Sequence, residues 1–219
     1  MNEKNVNKTE FILNIVRDLP LFTVEDIPEM GIITTSIRVK LSRLAKSGKI
    51  VRIKRGTYVS AVYLERIRYS GIISNYLEFL ATSIYEPAYL STEYVLQKYG
   101  VLSESVRAIT AITTNKKNSF VSDIASFTYR QINKKLFTGF NIEKKDGFLI
   151  STATVAKALF DFLYLRKNII KNEKAFKALR LNLDTLSASS LKEFEKYVNI
   201  ENSKKMLLLL SFVKKYGKR

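Results

Sequence analysis

Eight cationic side chains, Arg38, Lys40, Arg43, Lys46, Lys49, Arg52, Lys54 and Arg55, fall between Ser36 and Arg55, a stretch that contains no acid. Unopposed cations at that density do one kind of chemistry well: they neutralise the phosphates of a nucleic acid and release its counterions. The whole chain is basic, with 37 Lys and Arg against 20 Asp and Glu and a formal net charge of +17, so clustering has to be separated from composition. Drift in codon usage would spread the excess evenly, and it is not even. Residues 1–68 carry 13 basic and 7 acidic side chains, 69–164 carry 10 and 8, and 165–219 carry 14 and 5. The middle is close to neutral, and the excess of the first segment sits in the Ser36–Arg55 stretch.

Other chemistry is narrowed by what is missing. The chain has no His and no Cys. It cannot build a Ser-His-Asp or Cys-His nucleophile, an HExxH zinc site, a thiolate metal site or a disulfide. Catalysis would be left to carboxylates with a hard metal, or to a Lys or Tyr base. Asp123, Glu143, Asp146, Lys157 and Asp161 are the candidates for such a site, which would make the chain a nuclease targeted by its basic segment. The acids are few and scattered, and Lys157 and Asp161, at i and i+4, read as a pair on a helix surface. The expectation is therefore a protein that is not an enzyme, with no catalytic residue, no cofactor and no metal.

The basic stretch needs elements to position it, and the pattern supplies them. Asn7 with Glu10 resembles a capping pair, and Phe11, Ile12, Ile15, Val16 and Leu19 recur at helical spacing, predicting a helix over about 8–18 that ends before Pro20. Thr23 with Asp26 predicts a second, short helix containing Val24 and Ile27 and ended by Gly31. Ile37, Leu41, Leu44 and Ala45 then form one apolar stripe that stops at Gly48, a C-cap. At 100° per residue the opposite face carries Thr35, Ser36, Val39, Ser42, Arg43 and Lys46, with Arg38 beside it. Short hydroxyl side chains let such a helix approach base edges, and Val39 offers a methyl contact to thymine.

Lys49 to Val59 alternates apolar and basic residues around a glycine turn and predicts a hairpin, with Gly56 supplying a positive φ. Ile50, Ile53 and Tyr58 or Val59 can face the helices, which leaves Arg52, Lys54 and Arg55 at the tip. Helices followed by a basic hairpin predict a winged helix-turn-helix over 1–66. Its expected partner is double-stranded DNA with an inverted-repeat site filled by two copies, through dimerisation or cooperative binding.

From about 69 the pattern changes to that of an α+β module covering 67–219. Helix is predicted for Ile72–Ile84, strand for Tyr89–Leu90, and a helix capped by Ser91 runs to Tyr99. Val106–Thr113, Phe120–Val121, Ile124–Ile132 and Phe148–Ile150 are strand-like, and Thr154–Leu165 is an apolar helix placed against that sheet. The basic tail, about 167–219, is helical over 173–180, 188–198 and 202–216. Its Lys204, Lys205, Lys214, Lys215, Lys218 and Arg219 are either a second anionic contact or solvated ends. A hydrophobic content of 46% with 26% charged residues suits a globular chain with real cores. No apolar run approaches the roughly 18 residues of a membrane span, and the start MNEKNVNKTE has no apolar signal core. The expectation is a cytoplasmic protein with no membrane partner.

Several blocks carry a family resemblance. Leu41 to Val59, with its leucines, Gly48 and basic hairpin, is similar to the wing end of the AbiE-type antitoxins. Pro87-Ala88-Tyr89-Leu90-Ser91 followed by Leu96-Gln97-Lys98-Tyr99-Gly100-Val101 resembles that family's "P-x-Y-L-S … A-L-x-x-H-G-L" block. Lys157-Ala158-Leu159-Phe160-Asp161-Phe162-Leu163-Tyr164-Leu165 resembles its "E-K-A-L-x-D-L-L-Y-L" helix. Three positions depart: Val155-Ala156 stand where the family has Pro-Glu, and Tyr99 where it has His. The resemblance implies a DNA-binding autorepressor and antitoxin of a type IV, or abortive-infection, pair. Its second partner would be a nucleotidyltransferase-type toxin, opposed with or without a stable complex. A plain winged-helix regulator with no toxin partner is the alternative.

Overall fold

A computed structural model describes residues 8–28 and 34–217 of the chain. Asn7, Gly31, Lys218 and Arg219 lie outside the described residues, so the capping pair, the expected stop at Gly31 and the last two tail cations are not addressed by it. The fold is α+β, in two units: residues 1–80 with 120–126, and residues 81–119 with 127–219.

In the first unit the order is α1 (Lys8–Val16), β1 (Phe22–Thr23), α2 (Thr34–Lys46), β2 (Ile50–Lys54), β3 (Thr57–Ser60), α3 (Ala61–Tyr69) and the start of α4 (Ile73–Ser83). The predicted stripe is the reason α2 packs. Ile37, Leu41 and Leu44 are buried and join Ile12 and Val16 of α1, Phe22, Ile50 and Tyr58 in one core, with Ala45 partly buried against it. Helix α2 ends as Gly48 requires: φ there is +70°, the Gly48 amide donates to the Ala45 carbonyl and the Lys49 amide to that of Leu44. This pairing is the Schellman arrangement, which satisfies carbonyls the helix leaves open.

The three strands form an antiparallel sheet in the order β1-β3-β2, with Phe22 opposite Tyr58 and their rings stacked at 5.8 Å. A bulge between Arg52 and Lys54 breaks the simple alternation: Arg52 pairs with Tyr58 and Lys54 with Thr57. Ile53 is buried, but outside the core that Ile50 joins. Helix α3 packs on β2 and β3, so every residue of β3 is buried.

The short helix expected after Thr23 is a single turn. Thr23 is committed to β1 opposite Thr57, and Asp26 accepts its amide at 2.7 Å and its hydroxyl at 2.9 Å. One Ile27 amide to Val24 carbonyl bond closes the turn, and nothing propagates it through the described residues that follow.

The second unit holds β4 (Ala88–Leu90), α5 (Thr92–Lys98), β5 (Ile109–Thr113), β7 (Ser126–Gln131), β8 (Phe140–Lys145), β9 (Phe148–Ala153) and α6 (Val155–Arg166). The tail adds α7 (Glu173–Lys177), α8 (Ala188–Glu201) and α9 (Lys204–Tyr216). With β6 (Asn118–Val121) the strands run β6-β7-β5-β4-β9-β8. The sheet is mixed: β4 and β9, and β5 and β7, are parallel, while β4 with β5 and β8 with β9 are antiparallel. Helix α6 is enclosed by α5, α8, α9 and β9, and from Ala156 to Leu163 every side chain is buried. Thr154 caps it, its hydroxyl accepting the Lys157 amide at 3.1 Å. Among the described residues no helix is long and apolar enough to cross a membrane.

Candidate nucleic-acid interface

Packing of Ile37, Leu41 and Leu44 into the core leaves the other face of α2 to solvent. Thr35, Ser36, Arg38, Val39, Ser42, Arg43 and Lys46 are all exposed, Val39 by 48% although it is apolar. Thr35, Ser36, Val39 and Arg43 line one shallow groove with Lys40. Ser42 and Lys46 lie outside that groove.

A second concavity, of about 460 Å³, is walled by both α2 and the hairpin. Arg38 from α2, Arg52 from β2 and Arg55 from the turn converge on it, with Gly56 and Tyr58 behind them. The sequence placed Arg38 and Arg55 on different elements; the β1-β3-β2 sheet, docked on α2 through Ile50 and Tyr58, brings them to one opening. Glu25 is the carboxylate at its edge. Arg52 is further fixed by donating from Nε to the Lys54 carbonyl at 3.4 Å. Lys54 is half-buried, with its Nζ 5.5 Å from the centre of the Phe120 ring, so it lies less open than Arg52 and Arg55. Lys40, one of the eight cations of the basic stretch, was not placed on the exposed face of α2 by its spacing, and Glu25, whose place at the opening depends on the single turn after β1, was not a candidate at all.

Three guanidinium groups around one opening can hold phosphate oxygens in a forked, two-point manner that a lysine cannot match. The groove of small, hydroxylated and methyl-bearing side chains beside it suits base edges. Residues 10–61 match a family described as transcriptional regulator, AbiEi antitoxin. That match supports an AbiE-type antitoxin family. It spans α1 through the hairpin, the whole of the arrangement just described. No curated protein matches the chain.

Beyond that segment, the blocks resembling AbiE-type antitoxins meet in the interior. Tyr89 and Ser91, from the first block, donate their hydroxyls to Asp161 Oδ2 at 3.0 and 2.7 Å, and Lys157 donates to Asp161 Oδ1. The Lys157 ammonium also faces the rings of Phe160, Tyr197 and Tyr89, 4.9 to 5.7 Å from their centres. Lys157 and Asp161 are therefore not a helix-surface pair. Both are fully buried, because α6 is covered on all sides rather than one. Burial alone pushes the Asp161 carboxyl up and the Lys157 ammonium down, and their mutual attraction opposes both shifts. Ser91 precedes α5 but its side chain makes no cap hydrogen bond, having been drawn to Asp161 instead.

The remaining acids named for metal chemistry are not gathered. Glu143 and Asp146 are exposed on the β8–β9 hairpin, Glu143 pairing with Lys145 at 3.1 Å, and Asp123 is exposed. Among the described residues no three acidic groups assemble a metal-sized site. In the tail, Lys205 donates to Asn168, Lys214 to Glu195 and Lys215 to Glu173, so these cations are tied to the surface of their own unit. Met206, Leu209 and Leu210 are buried, while Leu207 and Leu208 are part-exposed.

Proposed function

We propose that residues 1–66 form a winged helix-turn-helix that binds operator DNA. In this reading α2 enters the major groove and the β2–β3 hairpin rests on the flanking backbone. The observation that carries it is the convergence of Arg38, Arg52 and Arg55 beside the exposed face of α2. The family match over residues 10–61 supports a regulator, and with it DNA as the partner. One such module covers limited area, so two copies are expected on an inverted repeat.

The chain then acts as an autorepressor and as the antitoxin of a type IV, abortive-infection pair, opposing a nucleotidyltransferase-type toxin. It is read as a cytoplasmic protein without catalytic activity of its own. A titration of the upstream operator should show Arg43→Ala and Arg55→Ala weakened by about 1–3 kcal/mol where the side chain reads a base or clamps a phosphate. Wild-type affinity in both variants would sink the DNA assignment. The antitoxin arm is separate: co-expression should rescue growth from a toxic neighbouring gene, and a neighbour harmless alone would leave a plain regulator.

A further inference from the structure

The second unit contains a cleft of about 660 Å³ that the DNA reading does not use. Three cations open onto it: Lys116 and Lys117 from the turn after β5, and Arg130 from the end of β7. None of the three forms an ion pair within the described residues, although the 69–164 segment as a whole is close to neutral. A fourth, Arg166, is spoken for, since it donates to Glu93 and to the Phe162 carbonyl at 3.1 Å. The carboxylate in the cleft is thus already neutralised, and the field left over is positive.

The turn carrying the lysines is held in place. Tyr85 donates to the Lys116 carbonyl at 3.0 Å, Asn115 Nδ2 to the Glu86 carbonyl at 2.7 Å, and Gln131 Nε2 to the Thr114 carbonyl at 3.3 Å. It follows the carboxyl end of β5 and lies at the same end of the sheet as that of the parallel strand β7. Leu165 and Ile169 give the cleft an apolar lining beside the cations, and Ile169 is 75% exposed. The volume lies within the range of small-molecule sites, roughly 300–1,000 Å³, rather than that of a flat macromolecular contact.

We propose that this cleft binds a nucleoside phosphate, with the phosphates held by Lys116, Lys117 and Arg130 and the base laid against Leu165 and Ile169. The site shares no lining residue with the proposed DNA-binding surface. Isothermal titration of the full chain with ATP, adenosine and inorganic pyrophosphate tests both halves of the assignment. ATP should bind saturably below ~1 mM, and adenosine and pyrophosphate should each bind at least roughly tenfold more weakly.

Replacing both Lys117→Gln and Arg130→Gln should lose about tenfold or more in ATP affinity. Its thermal midpoint without ligand should not change, as both side chains are exposed, and Lys117→Arg should retain binding. The Arg43→Ala, Arg55→Ala pair should bind ATP as the parent does. Absence of saturation, pyrophosphate or adenosine binding as tightly as ATP, or a loss that follows Arg43 and Arg55 instead of the cleft would each overturn the proposal.

Discussion

Ser91 Oγ sits 2.7 Å from Asp161 Oδ2, joining the residue that opens α5 to the middle of α6 across seventy positions of sequence. With Tyr89 on the same oxygen and Lys157 on the other, the carboxylate is satisfied on both sides in a space closed to water. A buried pair of this kind is costly to assemble, and much costlier to halve.

Asp161→Ala should destabilise the chain by about 3–5 kcal/mol in urea unfolding, since an ammonium is left buried without a counter-charge. Combining Lys157→Met with Asp161→Asn should cost less than Asp161→Ala alone, because the ammonium goes and Ser91 and Tyr89 keep an acceptor. Additive losses would show that the pair is not coupled.

Gly139 stands at φ +79°, and a Cβ there would overlap the Tyr197 hydroxyl and come within 2.6 Å of its ring. That same hydroxyl donates to Glu193 at 2.7 Å, so a retreat of Tyr197 would break this bond. Gly139→Ala is expected to lower stability by at least about 1–3 kcal/mol from strain and overpacking. An unchanged thermal midpoint would contradict that geometry.

For DNA, about four phosphate contacts per copy should make log affinity fall against log salt with a slope near −3 to −4. Glu25 at the edge of the arginine opening repels the same phosphates. Glu25→Gln should therefore tighten operator binding a few-fold at low salt, with the gain fading as salt rises. Weaker binding in this variant would mean that Glu25 organises the arginines rather than opposing the ligand.

At Glu201, burial works to raise the carboxyl pKa. The Lys167 ammonium and the hydrogen bonds from Ser203, its amide at 2.9 Å, outweigh burial and hold the group below the ordinary carboxylate range. A carboxyl depressed in the folded state contributes stability that is complete above its unfolded pKa and is lost as pH falls through its folded one. Glu201→Gln should thus lower the thermal midpoint at pH 7, and the gap to the parent should close below about pH 4. A gap that persists in acid would assign the effect to packing instead.

The sequence was most informative where one element's own periodicity decides its burial. Ile37, Leu41 and Leu44 mark the inner face of α2, and Gly48 marks its end. It misled where a second element decides. Lys157 and Asp161 have the spacing of a surface pair, and only Tyr89, Ser91 and Tyr197, brought from elsewhere, make their burial tolerable. Thr23 and Asp26 carry a helix-start pattern that β3 overrides by pairing with Thr23. Phe140-Asn141-Ile142-Glu143-Lys144-Lys145 went unrecognised as a strand, because an edge strand with exposed side chains shows little apolar alternation. The cleft cations are spread over residues 116–130, on a turn and a strand end, and no local pattern links them.

That run in β8 has its own consequence. As the last strand of the sheet order it leaves, among the described residues, one row of backbone donors and acceptors without a neighbouring strand, a template on which another chain could polymerise. Ile142 alone on its outer side would invite such pairing, being 64% exposed. Glu143, Lys144 and Lys145 surround it with charge, so that two such edges meeting side by side must bury ions to join. The charged residues that hide the strand from pattern recognition are also of the kind that opposes edge-to-edge pairing.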